Sequence, residues 1–110
     1  MYKTKQVIVF GTNGTATDIV DTVREINRVA KHRMFACMGF LDDDPKHRSM
    51  IYDDVRVIGT LKKAGDYKNA YFVNAIGSTN NYWKREAIID SSHVPRDRFV
   101  TLVHPTANIS

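Results

Sequence analysis

The sequence contains little cysteine and no long hydrophobic segment. Cys37 is the only cysteine among the 110 residues, which excludes an internal disulfide framework and predicts a reducing, cytoplasmic location. No apolar run approaches the roughly 20 residues that span a bilayer. The run Val7–Phe10 is too short for the hydrophobic region of a signal peptide. We therefore predict a cytoplasmic protein with no membrane partner, of a length that suits one compact domain.

Charge of one sign is not concentrated in any segment of the chain. The formal net charge is +4, but the basic residues are scattered and acidic residues lie between them. Residues 42–44 form a block of the opposite sign, and no pattern of aromatic and basic residues forms a stacking platform for bases. This distribution predicts a solvated surface and no nucleic-acid partner.

The sequence also lacks a catalytic or metal-binding constellation. No Gly-Lys-Ser/Thr follows the first glycine loop, which excludes a P-loop. His32, His47 and His93 lie at helix ends or in loops, where we expect surface residues rather than bases. Three adjacent aspartates, Asp42–Asp44, make a poor metal site because neighbouring side chains diverge. We assign no catalytic residue and no metal ligand.

Strand patterns and helix patterns alternate along the chain. The continuous apolar run Gln6–Phe10 is typical of a strand buried on both faces, and an amphipathic helix pattern follows it. Further patterns predict strands at Met34–Leu41, Val55–Ile58, Ala70–Ile76 and Phe99–Val103, a surface loop over residues 46–54, and helices at Leu61–Tyr67 and Tyr82–Ser91. The alternation predicts a single α/β domain with a Rossmann-like parallel sheet flanked by helices.

Three loops that follow predicted strands form the candidate binding site, because parallel α/β sheets bind ligands outside the carboxyl ends of their strands. In the first loop Gly11 allows a sharp turn and Gly14 a close backbone approach, and the next helix offers free N–H groups to an anion. Asp42 follows the second strand, where Rossmann domains place a carboxylate for ribose hydroxyls. The candidate substrate-binding residues are Gly11, Asn13, Gly14, Thr15, Asp42, Asp43, Gly77 and Ser78. The glycine loop also fits a structural turn without a ligand, and Ser78 also fits a helix cap.

An aliphatic residue recurs at six-residue spacing near the end of the sequence. Val103 and Ile109 are six positions apart, and the small residue Ala107 lies between them. This is the pattern of a hexapeptide-repeat turn in a β-helix, and one such turn cannot bury its own apolar face. We predict that residues 1–102 form a Rossmann-like domain and that residues 103–110 begin a truncated hexapeptide-repeat segment.

Several of these motifs, in their order and spacing, resemble a known family. They are Val7–Gly14, Phe40–Pro45, Val57–Gly59, Ala75–Gly77 and Thr101–Ala107. Together they resemble the N-terminal domain of bacterial sugar O- and N-acyltransferases of the NeuD/PglD type, without the left-handed β-helix domain. The resemblance covers essentially the whole chain.

The resemblance implies a substrate domain that binds a nucleotide-linked amino sugar without catalysing a reaction. It implies that Gly11, Asn13, Gly14, Asp42 and Gly77 line the sugar-nucleotide pocket. Acetyl-CoA and the catalytic histidine would belong to the downstream β-helix of a homotrimeric enzyme of surface-polysaccharide biosynthesis. This domain would take no cofactor of its own and would be a monomer or weak dimer. The chain departs from the family at residues 15 and 16, where threonine and alanine replace the usual histidine and glycine.

Three other functions are compatible with the same residues. The glycine loop and Asp42 suit an NAD-type dinucleotide-binding domain. A non-enzymatic nucleotide-sensing module would use the same pocket for regulation, and the departures at Thr15 and Ala16 leave this alternative open. In a purely structural domain the loop would be empty, and the domain would pack within an oligomer.

Overall fold

The computed structural model describes residues 3–76, 87–90 and 92–102. Its strands are β1 (Lys5–Phe10), β2 (Phe35–Leu41), β3 (Ile51–Tyr52), β4 (Val55–Gly59) and β5 (Ala70–Asn74). Helix α1 (Gly14–Ala30) connects β1 to β2. Short 3-10 helices cover Pro45–His47, Leu61–Asp66 and Arg96–Arg98, and residues 87–90 are helical.

The sheet confirms the predicted Rossmann-like α/β class. Its strand order is β3-β4-β2-β1-β5. Strands β1, β2, β4 and β5 run parallel, and only β3 is antiparallel, to its hairpin partner β4. After β4 the chain returns to the other side of β1 to form β5, so the strand order reverses beside β1. In open α/β sheets this reversal opens a crevice at the carboxyl ends of the strands.

Strand β1 lies at the centre because its residues are apolar on both faces. Val7, Ile8, Val9 and Phe10 are fully buried. On one face Val9 belongs to a core that includes Ala16 and Val20 of α1. On the other face Phe10, Phe72 and Phe99 form an aromatic cluster with ring centroids 5.3–5.7 Å apart. Both faces of the sheet are thus covered, as expected for a parallel sheet.

Helix α1 is defined at both ends by local signals. Asn13 is its N-cap, with a side chain that accepts a hydrogen bond from the backbone N–H of Ala16. Lys31 ends the helix in the left-handed conformation, and its N–H donates to the carbonyl of Arg28. Within the part of the chain described, no helix is long and apolar enough to cross a membrane.

Strand β2 carries the single cysteine and an irregularity in its pairing. The register of β1 against β2 shifts between Val7 and Ile8, which leaves Met38 as the extra residue on β2. Burial raises the pKa of the Cys37 thiol to about 11. The thiol is therefore protonated near neutral pH, as expected of a small side chain packed in a strand.

Several predicted elements differ from the structure. The segment 46–54, predicted as a loop, contains β3 and part of a 3-10 turn; a two-residue strand is too short to show a period. The short helix predicted at Leu61–Tyr67 is a 3-10 helix over Leu61–Asp66, in line with its short length and Gly65. Phe99 forms one parallel bridge with Phe72 rather than a strand. Residues 77–86 and 103–110, with most of one predicted helix and the hexapeptide segment, lie outside the described ranges.

Candidate functional site

Gly11 forms a tight junction at the carboxyl end of β1. It is buried with φ +98°, a conformation that L side chains rarely adopt. Its N–H donates to the carbonyl of Leu41, at 2.8 Å. A Cβ added at this position would lie 2.8 Å from Cγ1 of Ile76. The glycine therefore lets β1 turn while it packs between β2 and the segment that follows β5.

Asn13 ties the start of α1 to the end of β5. Its Oδ1 accepts a hydrogen bond from the N–H of Ala16 at 3.0 Å, and its Nδ2 donates to the carbonyl of Ala75 at 2.8 Å. The N–H of Ala75 in turn donates to the carbonyl of Phe10, at 2.9 Å. The Asn13 carboxamide thus fixes the crevice between β1 and β5, the position where the strand order reverses.

Asp42 is the centre of a hydrogen-bonded cluster directly after β2. Its Oδ2 accepts a hydrogen bond from the Thr12 hydroxyl at 2.7 Å and lies 3.1 Å from Nδ1 of His47. Its Oδ1 accepts the backbone N–H of Asp44 at 2.8 Å. The Asp42 side chain is only 13% exposed. The carboxylate is therefore held in one orientation by groups from the first loop, the second loop and the following turn.

The surroundings of Asp42 favour its charged form. Burial by itself raises the pKa of the carboxyl, but the bonds from the Asp44 N–H, the Thr12 hydroxyl and His47 outweigh burial and lower it below its ordinary value. Hydrogen bonds to a carboxylate stabilise its ionised state. Asp42 is consequently a fixed negative charge near neutral pH.

An open cleft of about 620 Å³ lies between these loops. Gly11, Asn13 and Asp42, all predicted from the sequence, line it. Residues that the sequence interpretation did not select complete the lining: Thr12, Lys46, His47, Ser49, Met50 and Ile76. The cleft thus combines one fixed carboxylate, two basic side chains and two apolar ones, and its volume lies within the range of small-molecule sites.

Of the other predicted site residues, Gly14, Thr15 and Asp43 do not line the cleft. A Cβ built on Gly14 meets nothing within 4 Å. Thr15 lines a different cavity, beside β5 and residues 99–102. Asp43 accepts the N–H of Leu61 at 2.8 Å and thereby supports the following 3-10 helix. Gly77 and Ser78 lie outside the described residues.

His47 lies against Asp42, a contact that the sequence pattern did not indicate. Its side chain is about half exposed, at 47%, as expected of a surface histidine. The turn that begins at Pro45 brings it back over Asp42, because the Asp44 carboxylate accepts the Lys46 N–H at 2.9 Å and caps that turn. The Asp-Pro pair was the available signal, since proline favours the first position of such turns. No group of three or more potential metal ligands occurs among the residues that the structure describes.

Comparison with known proteins gives a likeness of fold. No family model matches the chain, and no curated protein matches it. A crystal structure of RSP, a Rex-family repressor, matches with a TM-score of 0.60 and 18% identity over 93% of this chain and 54% of that one. RSP in complex with beta-NADH matches with a TM-score of 0.56 and 16% identity over 94% of this chain and 50% of that one. The chain thus spans about half the length of the matched structures.

These matches correct the predicted relationship to the sugar acyltransferases. The matched structures are of a repressor, and neither family models nor curated proteins support an acyltransferase or a role in polysaccharide biosynthesis. The prediction was wrong because buried strands, a glycine turn and an aspartate after β2 are common to Rossmann-like domains. The one motif that would separate acyltransferases from other such domains was a single repeat turn, and it lies in residues 103–110, outside the described ranges.

The same matches also bear on two predictions about ligands. The expectation that the domain takes no cofactor is contradicted, because the fold matches a protein crystallised with NADH. The expectation of no nucleic-acid partner conflicts with a match to a repressor, whereas a nucleotide partner is compatible with both matches. This chain has a Rossmann-like α/β fold, shared with two structures of a Rex-family repressor.

Proposed function

We propose that this chain is a non-catalytic module that binds NAD(H) in the cleft at the carboxyl ends of β1 and β2. One observation carries the proposal: the ionised, nearly buried carboxylate of Asp42 lies within hydrogen-bond distance of the glycine turn. This combination supports the proposal, because dinucleotide sites require an acceptor for ribose hydroxyls beside the start of a helix.

The start of α1 would hold the pyrophosphate. A helix of 17 residues has a positive end at its N-terminus, where backbone N–H groups point outward. The space around Gly14 leaves room for a phosphate to approach the backbone.

Asp42 would hold the adenosine ribose. Its Oδ2 already faces Thr12 and His47, while Oδ1 accepts one bond from Asp44 and has a second lone pair available. A ribose hydroxyl would donate to that oxygen. Met50 and Ile76 in the cleft wall would supply apolar contact for the adenine ring.

Nothing in the described part of the cleft suggests chemistry on the ligand. Its one histidine, His47, lies against Asp42, and no nucleophile and base pair there. The match to a repressor and to its NADH complex supports a sensing role, in which occupancy of the cleft regulates the whole protein. A domain boundary at residue 102 and a cytoplasmic location stay predictions from the sequence.

The test is titration of the protein with NADH, followed by NADH fluorescence and by calorimetry. We expect Asp42→Ala to weaken binding by about 1.5–3 kcal/mol, or roughly 10- to 150-fold, because a charge-assisted hydrogen bond is lost. Asp42→Asn keeps the shape of the side chain but removes its charge, and it should also weaken NADH binding.

Asp43→Ala is the matched control, since Asp43 bonds Leu61 rather than the cleft. It should bind NADH as the wild type does. A wild-type protein that does not bind NADH, or an Asp42→Ala variant of unchanged affinity, would contradict the proposal.

A further inference from the structure

A second cavity, of about 510 Å³, lies at the opposite end of the sheet. The side chains of Lys3, Lys5, Lys68 and Arg98 line it, together with Thr4, Gln6, Asn69 and Tyr71. Four of these residues are basic and none is acidic. We name this cavity the basic pocket.

The parallel sheet brings these residues together from distant parts of the sequence. Lys5 begins β1, and Lys68 and Asn69 directly precede β5. Strands β1 and β5 are neighbours in register, with Gln6 opposite Ala70. Because the two strands run in the same direction, the chain segments that enter them meet at one edge. The sequence therefore shows scattered lysines where the fold forms a cluster.

Two of the basic side chains are held in place by neighbours. The Arg98 guanidinium donates from Nε to the carbonyl of Ala70 at 2.9 Å, and also from Nη2 to the same oxygen. Lys5 Nζ and Arg98 Cζ lie 5.5 Å and 5.4 Å from the centre of the Tyr71 ring, within the range of cation–π attraction. The ring thus positions two cations beside the cavity without neutralising either.

In the described part of the chain, no ion pair involves the four basic residues of the basic pocket. Within the described ranges, the ion pairs of the structure involve Arg24, Arg28, His47 and Arg96. None of them includes a basic residue of the pocket. Like charges confined to one concave surface repel one another and concentrate anions from solution. A multivalent anion bound here would lower the free energy of the whole cluster.

We propose that the basic pocket binds a run of phosphate groups, either as a free polyphosphate or as the phosphodiester backbone of a nucleic acid. Lysine ammonium groups act as point charges for phosphate, and the unused N–H groups of Arg98 offer directional donors. The amides of Gln6 and Asn69 add further polar partners. This site is separate from the NAD(H) cleft, because β1, six residues long, keeps the two roughly 20 Å apart.

The test compares two double variants of equal net charge. Lys5→Glu with Lys68→Glu reverses two charges in the basic pocket, and Lys62→Glu with Lys63→Glu reverses two exposed lysines that do not line it. The probes are inorganic triphosphate, followed by calorimetry, and a fluorescent oligothymidylate, followed by anisotropy. Thermal unfolding and NADH titration check that both variants fold.

We expect the pocket variant to lose at least about tenfold in affinity for the probe that binds, and the control variant to lose much less. For the oligonucleotide, the slope of log K against log salt should decrease in magnitude by about 1.4, the contribution of two phosphate contacts on a single strand. Binding of triphosphate alone assigns the pocket to free polyphosphate, and binding of the oligonucleotide alone assigns it to nucleic acid.

Two results would overturn the inference: neither probe binds the wild type, or both variants lose affinity equally. The NADH titration separates this outcome from the proposed function. The pocket variant should bind NADH as the wild type does, so failure of one site leaves the other intact.

Discussion

The two ends of the sheet carry charge in opposite ways. At the carboxyl end, the charge of Asp42 is surrounded by the donors Thr12 and Asp44 and by His47. At the amino end, the basic pocket holds four cations without a carboxylate in its lining. The partners of Asp42 hold its carboxylate in one orientation. The cations of the basic pocket take part in no ion pair among the described residues. The two proposed sites therefore differ in the charge that they present to a ligand.

The largest difference between the two ends should be in their tolerance of substitution. Gly11→Ala places a Cβ against Ile76 at a positive φ, and should lower the free energy of unfolding by about 2–4 kcal/mol. Lys5→Gln at the amino end should change it by less than about 0.5 kcal/mol. Urea denaturation measures both.

Gly14→Ala is the control for the glycine loop. Its Cβ meets nothing within 4 Å, and alanine favours a helix over glycine, so stability should be unchanged or rise by up to about 1 kcal/mol. If Gly11→Ala and Gly14→Ala lowered the free energy of unfolding equally, the tight packing at Gly11 would not be what limits substitution there.

The next effect concerns discrimination between dinucleotides. A 2′-phosphate beside the Asp42 carboxylate places like charges together, so NADH should bind about tenfold or more tightly than NADPH. Asp42→Asn removes the repulsion and should reduce the ratio to within about threefold. Competition titrations with the two dinucleotides measure the ratio. A preference that survives Asp42→Asn would place the discrimination elsewhere in the cleft.

The smallest effect is the response of stability to acid. The pKa of Asp42 in the folded protein lies below its ordinary value of 3.8. The stabilisation from its charge is therefore complete above that value and lost as the pH falls through the lower, folded pKa. Asp42→Asn has no such proton to take up. The difference in urea midpoint between wild type and Asp42→Asn should be the same at about pH 7 and about pH 5 and smaller at about pH 3. A difference that stays constant over this range would contradict the inferred hydrogen bonding of Asp42.

The fold could be predicted from the sequence because its signals are local. The run Gln6–Phe10, the glycine at residue 11 and the amphipathic pattern after it specify the first strand, turn and helix, and the structure has β1 at Lys5–Phe10 and α1 at Gly14–Ala30. The apolar residues of Phe35–Leu41 and Ala70–Asn74 likewise indicate two strands of the sheet. Burial on both faces of a parallel sheet leaves a strong pattern in a sequence.

The candidate site could be predicted only in part, because its contacts join distant residues. Asp42 was found from its place after a strand, but its partners Thr12 and His47 are 30 and 5 residues away. The basic pocket depends on Lys5, Lys68 and Arg98, whose proximity comes from strand order. Tertiary packing sets the order of the strands. Because the basic residues are scattered in the sequence, the sequence alone predicted a surface without a cluster of charge. Family assignment failed for a related reason, since motifs shared by all Rossmann-like domains do not separate one ligand from another.

The most direct test of the proposed NADH site is to map it by nuclear magnetic resonance. Backbone amide shifts of the nitrogen-15-labelled protein would be followed during titration with NADH. We expect the largest shifts at residues 11–16 and 42–50, which include most of the cleft lining, and little change at residues 3–6 and 68–71, which border the basic pocket. Shifts concentrated at the basic pocket, or no shifts at saturating NADH, would contradict the claim that the carboxyl end of the sheet is a dinucleotide site.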